Sequence, residues 1–571
     1  MTAFGGGDAG TSAASHQQSM FPLPRVKEEI VNREGLGRAV RQRIARRRAV
    51  VSRANGMVEA LNSLSRGGLA GPAVSSTSSS ATSAQQTVLR RLVAAAEAAP
   101  PPSSVSAQEA SLCAMLKGRS GYDMSAASTS VVPLDISLLS LPGDASQAPF
   151  LADVLPSEES GVLRNFSEIL RPASEVLMDN DHLPEVRPYI DPALRQRDVY
   201  MKLLKDLRDR GLIRWVRSCR AQAGLFAVAK KSGKQRLIVD ARQGNLHFKD
   251  PRSTSLTTSE ELSSIITTTD LPVFTASVDI KDCFYRYRIS EEYSSYFCLP
   301  QIHTDDIRKI DPSFDAQHVG SWWPALAVLP MGHSWSLFWA QRTNSNIVQQ
   351  TIGEEDLALK QDRTLNDGGL IAFTYVDNVG IMGTDAAAVN KMIERVKRQL
   401  DSVGLETHDI EPACLRSQQL GIIIDGERHR VTPTDDRLRR VGDSIDGFLR
   451  RKHVRGDQLE ILLGHATFLG LVCRSSLSVF SACYSFVRAR YSNNSMLWDS
   501  CRRELSLFRT LLPLYRSDWG GRFLPALLAS DASEAGGAVV VTSIAEEVVK
   551  SVWQRRERDR FRRTYGGRRA R

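Results

Sequence analysis

The chain has 571 residues, 42% of them apolar and 24% charged, with a net charge of +10 and a sequence pI near 9.2. That length suggests several domains, the composition argues against a fibrous or wholly unfolded chain, and the basic excess points to a polyanionic partner. The eight cysteines show no CxxC pairing and no apolar run approaches the ~18 residues of a membrane span, so the expectation is a soluble intracellular protein, nuclear or cytoplasmic and not secreted, with reduced thiols, no zinc site and no membrane partner.

Residues 1–155 read as a low-complexity, mostly disordered N-terminal region. Gly5–Gly7, Ser75–Ser80 and Ala98–Pro102 cannot bury enough apolar surface to offset the cost of ordering. Two pieces have helical patterns, Val26 to Leu64 and Thr87 to Ala99. The first carries Arg41, Arg43, Arg46, Arg47 and Arg48, a run that suits a nuclear address, a nucleic-acid arm or simply a solvated helix face.

From residue 156 the patterns sharpen. A helix is expected from Ala193 to Arg210 with Gly211 as its stop. Leu225 to Asp240 reads as strand, basic turn, strand, with Lys230, Lys231, Lys234 and Arg236 at the hairpin tip and Arg242 and Asn245 following. Phe274 to Phe284 is a strand pattern ending on Asp279. Residues 301–320 are polar and read as an insertion, and Ala327 to Ser336 reads as a strand and a glycine turn before a helix.

Ile371-Ala-Phe-Thr-Tyr-Val-Asp-Asn-Val-Gly-Ile-Met-Gly383 is the stretch on which the chemistry turns: two strand-like runs flank Asp377-Asn378, a dipeptide suited to a tight turn. Alone, such a run is a surface hairpin. Together with Asp279 it supplies a second carboxylate on a strand end, and two such acids side by side suit a pair of Mg²⁺ ions in phosphoryl transfer. Helical patterns run on from Thr432, and Leu527 to Val541 reads as strand, Asp531, turn, strand. Nine arginines between Arg555 and Arg571 form a polycationic tail.

In this order the segments over roughly residues 185–545 resemble a reverse transcriptase of retrotransposon type, nearer to long-terminal-repeat and DIRS-type elements than to viral RNA-dependent RNA polymerases. The resemblance implies an α+β right-hand polymerase fold: fingers and an antiparallel-sheet palm over 156–431, a helical thumb or connection over 432–515, a ribonuclease H-like remnant over 516–545 and an Arg-rich tail over 546–571. It implies an RNA-directed DNA polymerase that uses Mg²⁺, with Mn²⁺ as a substitute, and an RNA or DNA template with primer and dNTPs as partners. Asp279 and Asp377 would be the catalytic metal ligands, with Tyr375 completing the Tyr-x-Asp-Asp motif. Phe284 would lie under the sugar of the incoming nucleotide, and Lys230 or Lys231 with Arg236 would meet its triphosphate. Leu329-Pro-Met331-Gly332 and Gln341 would shape the nucleotide pocket and touch the template base. Leu420-Gly421 would grip the primer, and Asp531 would be the first acid of a ribonuclease H domain.

Two features depart from the family pattern. Asn378 stands where the motif has its second aspartate; an amide oxygen ligates a metal weakly and carries no charge, so a rate loss of order 10²–10³ is expected. Only 40 residues follow Asp531, too few for a cleavage domain. Leu337, where proline is common, is expected to pack. The alternative reading is a catalytically decayed nucleic-acid-binding protein of the same fold.

Overall fold

The computed structural model describes residues 20–27, 37–66, 81–117, 131–176, 186–230, 232–267, 269–314, 319–353, 364–520, 525–533 and 536–553. The chain divides into two units, one of residues 1–113, 438–462 and 476–515 and the other of residues 114–437, 463–475 and 516–571.

The first unit is mainly helical. Its opening helix α1 (Arg38–Ser65) buries Ala54, Met57 and Val58, an i, i+3, i+4 stripe, and packs against α2 (Ser83–Ala98). Helix α2 starts on a capping box in which Thr82 and Gln85 satisfy each other's backbone N–H groups. An extended segment runs along α1, where Asn55 and Asn62, two turns apart, hold both the N–H and the C=O of Val26 and of Leu23 at 2.7–3.1 Å. Helix α3 (Val105–Lys117) follows, and Ser103 donates to Asp443 at 2.8 Å while Gln108 and Glu109 accept from Arg450 and Arg451.

The expectation of a mostly disordered stretch over 1–155 is therefore corrected for its described part. Helices α1 and α2 fall on the two segments with helical patterns, α3 had no such expectation, and residues from Val131 onward belong to the second unit, where Leu134, Ala145, Leu151 and Leu155 are buried. Ala54, Ala95 and Ala96 are core residues of the first unit. Gly5–Gly7 and Ser75–Ser80 lie outside the described residues.

In the second unit, helix α4 (Arg197–Asp209) is stopped as expected at Gly211, which has φ +70°. Strands β1 (Gly224–Ala229) and β2 (Gln235–Asp240) form the antiparallel basic hairpin. The central sheet comes from β3 (Phe274–Ile280), then, after helix α5 (Ser336–Ile352), from β4 (Leu370–Tyr375) and β5 (Asn378–Gly383), and, after α6 (Ala386–Ser402), from β6 (Thr407–Cys414). Its order is β4-β5-β3-β6, all antiparallel.

Alternation along these strands separates the two faces. Ala276, Val278 and Ile280 of β3 share one apolar core with Val379 and Ile381 of β5 and with Val389, Ile393, Val396 and Leu400 of α6. On the opposite face, at the end away from Asp279, Ile371, Phe373 and Met382 join a second core with Ile422, Ile424, Val431 and Trp519. Gly380 makes room there, since an added Cβ would lie 2.0 Å from the Phe373 ring.

The expected insertion at 301–320 is anchored rather than loose. Ile307 is buried in a short helix, and Asp306 and Asp311 pair with Arg197 and Arg208 of α4. Strands β7 (Arg416–Gln419), β8 (Ile422–Asp425) and β9 (Arg430–Pro433) form a further antiparallel sheet.

Helix α7 (Asp435–Arg450) leads into the remaining helices of the first unit, α8 (Gly456–Gly470), α9 (Ser481–Arg490) and α10 (Asp499–Leu511), whose Phe448, Leu459, Phe486, Leu505 and Phe508 are fully buried. Strands Ala526–Ser533 and Gly536–Ser543 pair antiparallel, with Asp531 opposite Ala538; the Asp531 side chain and the tail from residue 554 lie outside the described residues. No helix among the described residues is long and apolar enough to cross a membrane.

Candidate active site

Tyr375 and Asn378 are direct partners across the β4–β5 hairpin, so the two-residue turn is Val376-Asp377, one position earlier than the expected Asp377-Asn378. Val376 sits at φ +53°, a left-handed conformation that costs a β-branched residue about 1–3 kcal/mol. Such strain persists only where the surroundings enforce it, and two amides of α5 do so. Gln341 Oε1 accepts from the Val376 N–H at 2.7 Å, and Asn344 Nδ2 donates to the Val376 carbonyl at 2.5 Å. Gln341 Nε2 donates to the Thr374 carbonyl at 3.0 Å, and Tyr287 O–H fixes the Asn344 amide by donating to its Oδ1 at 2.6 Å. The Ile280 N–H donates to the Asp377 carbonyl at 2.9 Å, tying the turn to the end of β3.

Asp279 lies near that end of β3, between Asn378 of β5 on one side and His408 of β6 on the other. Cross-strand partners project from the same face, so the three side chains form a row across the sheet. His408 Nε2 is 3.1 Å from Asp279 Oδ1, and its Nδ1 is 2.9 Å from Asp409 Oδ2. The register shifts after His408, and Asp409 has φ +48°, the mark of a bulge beside the site.

The two acids feel each other. Burial, then the Asp377 carboxylate, pushes the Asp279 carboxyl up to about 7 against the opposing pull of His408. Burial likewise raises Asp377, opposed by a backbone hydrogen bond, Arg236 and His408. Asn378 Oδ1 is buried without a hydrogen-bond partner, an orphan acceptor of the kind that calls for an explanation.

Two repelling carboxylates and an unused amide oxygen suit a hard cation, although no group of three His, Cys, Asp or Glu that could hold a metal ion occurs among the described residues. Mg²⁺ needs no such cage, since one or two carboxylates and substrate phosphates commonly suffice.

The remaining expected residues fall in three groups. Arg236 is exposed on β2 and close enough to favour the ionised Asp377. Lys230 is half-buried with its Nζ donating to Ser140 Oγ at 2.8 Å, and burial lowers its pKa; Lys231 lies outside the described residues. Phe284 sits in the helical turn Cys283–Arg286 just beyond β3, half-buried against the first core, and Tyr375 packs there too.

The Met331-Gly332 segment is held by close backbone contact. The Val239 N–H donates to the Met331 carbonyl at 3.2 Å, and Gly332, with φ +133°, brings its Cα so near β2 that an added Cβ would lie 2.1 Å from the Val239 carbonyl oxygen. Asn245 Nδ2 donates to the Gly332 carbonyl at 3.0 Å, while its Oδ1 accepts from the Ser334 N–H at 3.0 Å and lies 2.8 Å from His333 Nδ1. Burial pushes His333 down to about 3, so its ring is neutral.

Three further positions have defined surroundings. Gln341 is 3% exposed and its amide is bound to the hairpin and to Ser345 Oγ, so it braces the turn. Leu420-Gly421 forms a turn between β7 and β8, with φ +48° and +77°, and Leu420 packs on the second core. Leu337, expected to pack, is 39% exposed.

His408, Asp409 and Asn344 were not foreseen. Asn344 lies three residues after Gln341 on α5 and so on the same face, a spacing that could have flagged it.

No protein-family profile matches the sequence, and no curated protein matches it. Among solved structures the chain is similar to the foamy viral protease-reverse transcriptase dRH in complex with double-stranded DNA, at 14% identity and a TM-score of 0.43, over 71% of this chain and 67% of that one. It is similar to the foamy viral protease-reverse transcriptase with double-stranded DNA at 14% identity and a TM-score of 0.41, covering 69% and 76% of the two chains. For the complex of that protein with an RNA/DNA hybrid the values are 13% and 0.40, and the chain spans 51% of its length.

Proposed function

We propose that this chain is an RNA-directed DNA polymerase of the reverse-transcriptase type, extending a primer 3′-hydroxyl on an RNA or DNA template. The observation that carries the reading is the cross-strand pairing of Asp279 with Asn378, whose Oδ1 is an orphan acceptor, next to the turn that holds Asp377. Asp279, Asp377 and, weakly, Asn378 would hold Mg²⁺, which when bound activates the attacking hydroxyl and offsets charge on the leaving group. The primer 3′-oxygen forms a bond to the α-phosphorus of a dNTP, the bond to pyrophosphate breaks and the hydroxyl proton is released. Arg236 offers a cation to the triphosphate, and the Phe284 ring limits space at the sugar 2′ position. In this reading residues 156–431 are fingers and palm, 432–515 the thumb and 516–545 a ribonuclease H-like segment.

One observation favours a decayed relative that binds nucleic acid without chemistry: Asn378 brings no charge to the site. Primer extension with Mg²⁺ and then Mn²⁺ separates the readings. Incorporation by the wild type that Asp279→Ala abolishes supports the polymerase; incorporation by Asn378→Asp alone supports decay; incorporation indifferent to Asp279→Ala removes the site.

A further inference from the structure

Helix α1 has two unlike halves. Its second half is built into the first unit: Ala54, Met57, Val58 and Ala60 are buried, Gly56 lies 3.6 Å (measured from an ideal Cβ) from Thr510 Cγ2 of α10, and Arg53 donates to the carbonyls of Ala99 and Pro100 at 3.1 and 3.0 Å. The first half has no core residue. Residues 38–48 carry six arginines, and no acidic residue occurs between Arg38 and Val58. Arg38, Arg43 and Arg46 are exposed.

This arrangement is unfavourable for the helix alone. Arg38 and Arg41 sit in the first turn, at the positive end of the helix dipole, where acidic residues are preferred. Gly37 at the N-cap makes no side-chain bond, and the first turn has no acid. A sequence selected only for folding has no reason to concentrate like charges there. A polyanion lying along the segment relieves both the mutual repulsion and the dipole mismatch.

We propose that residues 38–48 of α1 are a rigid cationic arm that lies along the phosphate backbone of a nucleic acid, independently of base sequence. The anchored second half fixes the direction of the arm, so phosphate contacts are made with little ordering cost. Eleven helical residues span about 16 Å, a length over which duplex DNA presents on the order of ten phosphates. A nucleic acid is favoured over an anionic membrane because Val40 and Ile44 are the only large apolar side chains in residues 38–48, and the segment has no Trp, Phe or Leu to anchor it in a bilayer. The arm does not depend on catalysis at the central sheet.

The test uses the full chain and a labelled RNA/DNA hybrid, with the dissociation constant measured by anisotropy across a KCl series. Replacing Arg38, Arg43 and Arg46 together by Gln is expected to weaken binding about ten- to hundredfold near 0.15 M salt and to lower the slope of log K against log salt by about two to three. The matching Lys triple keeps the slope, and neither triple lowers the melting temperature. An unchanged slope in the Gln triple overturns the proposal. So does loss of binding in the Lys triple, or an arm-dependent affinity for phosphatidylserine vesicles that exceeds that for the hybrid. Asp279→Ala is expected to retain the wild-type slope, so failure of the catalytic reading and failure of the arm give different results.

Discussion

Asp279 is paired across the sheet with Asn378, so the Asn378 amide and the Asp279 carboxyl project from the same face. With Asp377 at the adjoining turn, the site holds two charges and one neutral oxygen. The predictions below follow from that geometry and from the bracing beneath it.

Asn378→Asp adds a third carboxylate on the same face. It is expected to raise the rate of Mg²⁺-dependent incorporation by about 10²–10³-fold, the range for one preorganised electrostatic group. The metal-free protein should lose about 1 kcal/mol, because the new charge meets two others. Steady-state incorporation and thermal melting with EDTA check the two halves.

Asp279→Asn has the opposite signature. The Asp279 carboxyl is raised to about 7 in the folded protein from about 4 when unfolded, so the folded state binds more protons over that window. Stability of the metal-free wild type therefore falls as pH rises from about 4 to 7 and is flat above. The variant lacks this decline and should be more stable at pH 8 by about 1–2 kcal/mol, a value reduced for the partial exposure of the side chain. It should incorporate no nucleotide. Denaturant melts at pH 5 and pH 8 without metal decide; equal wild-type stability at both would contradict the raised Asp279 carboxyl.

Gln341→Met keeps the volume of the side chain and removes three hydrogen bonds from the hairpin and its neighbour. Leaving the buried Val376 N–H and Thr374 carbonyl without these partners should cost about 2–4 kcal/mol. A bracing role predicts a lower kcat with base selection unchanged. A change in misincorporation with kcat intact would return Gln341 to the template.

Gly332→Ala should cost about 3 kcal/mol or more, since a Cβ 2.1 Å from the Val239 carbonyl oxygen forces the segment away from β2. Chemical denaturation measures this directly, and a loss below 1 kcal/mol would mean that the segment shifts freely.

Much of the site was legible in the sequence because its parts are local. A strand ending on Asp279, a basic hairpin carrying Arg236 and a two-strand run around Asp377 each announce themselves by alternation and turn residues. What stayed hidden depends on pairing between distant segments. His408 meets Asp279 only because β6 adds to the far edge of β3, and no periodicity records which strands become neighbours. The turn moved by one residue because Gln341 and Asn344 stabilise Val376 in a conformation that its own preferences oppose. Helices α1 and α2 fall on the two segments with helical patterns, whereas α3 had no such signal.

The most direct measurement is binding of Mn²⁺ by electron paramagnetic resonance, with hybrid and dNTP present, comparing wild type, Asp279→Ala and Asp377→Ala. The account predicts that tightly bound Mn²⁺ in the wild type is lost in both variants while hybrid affinity is kept. Equal Mn²⁺ binding by all three proteins would contradict it.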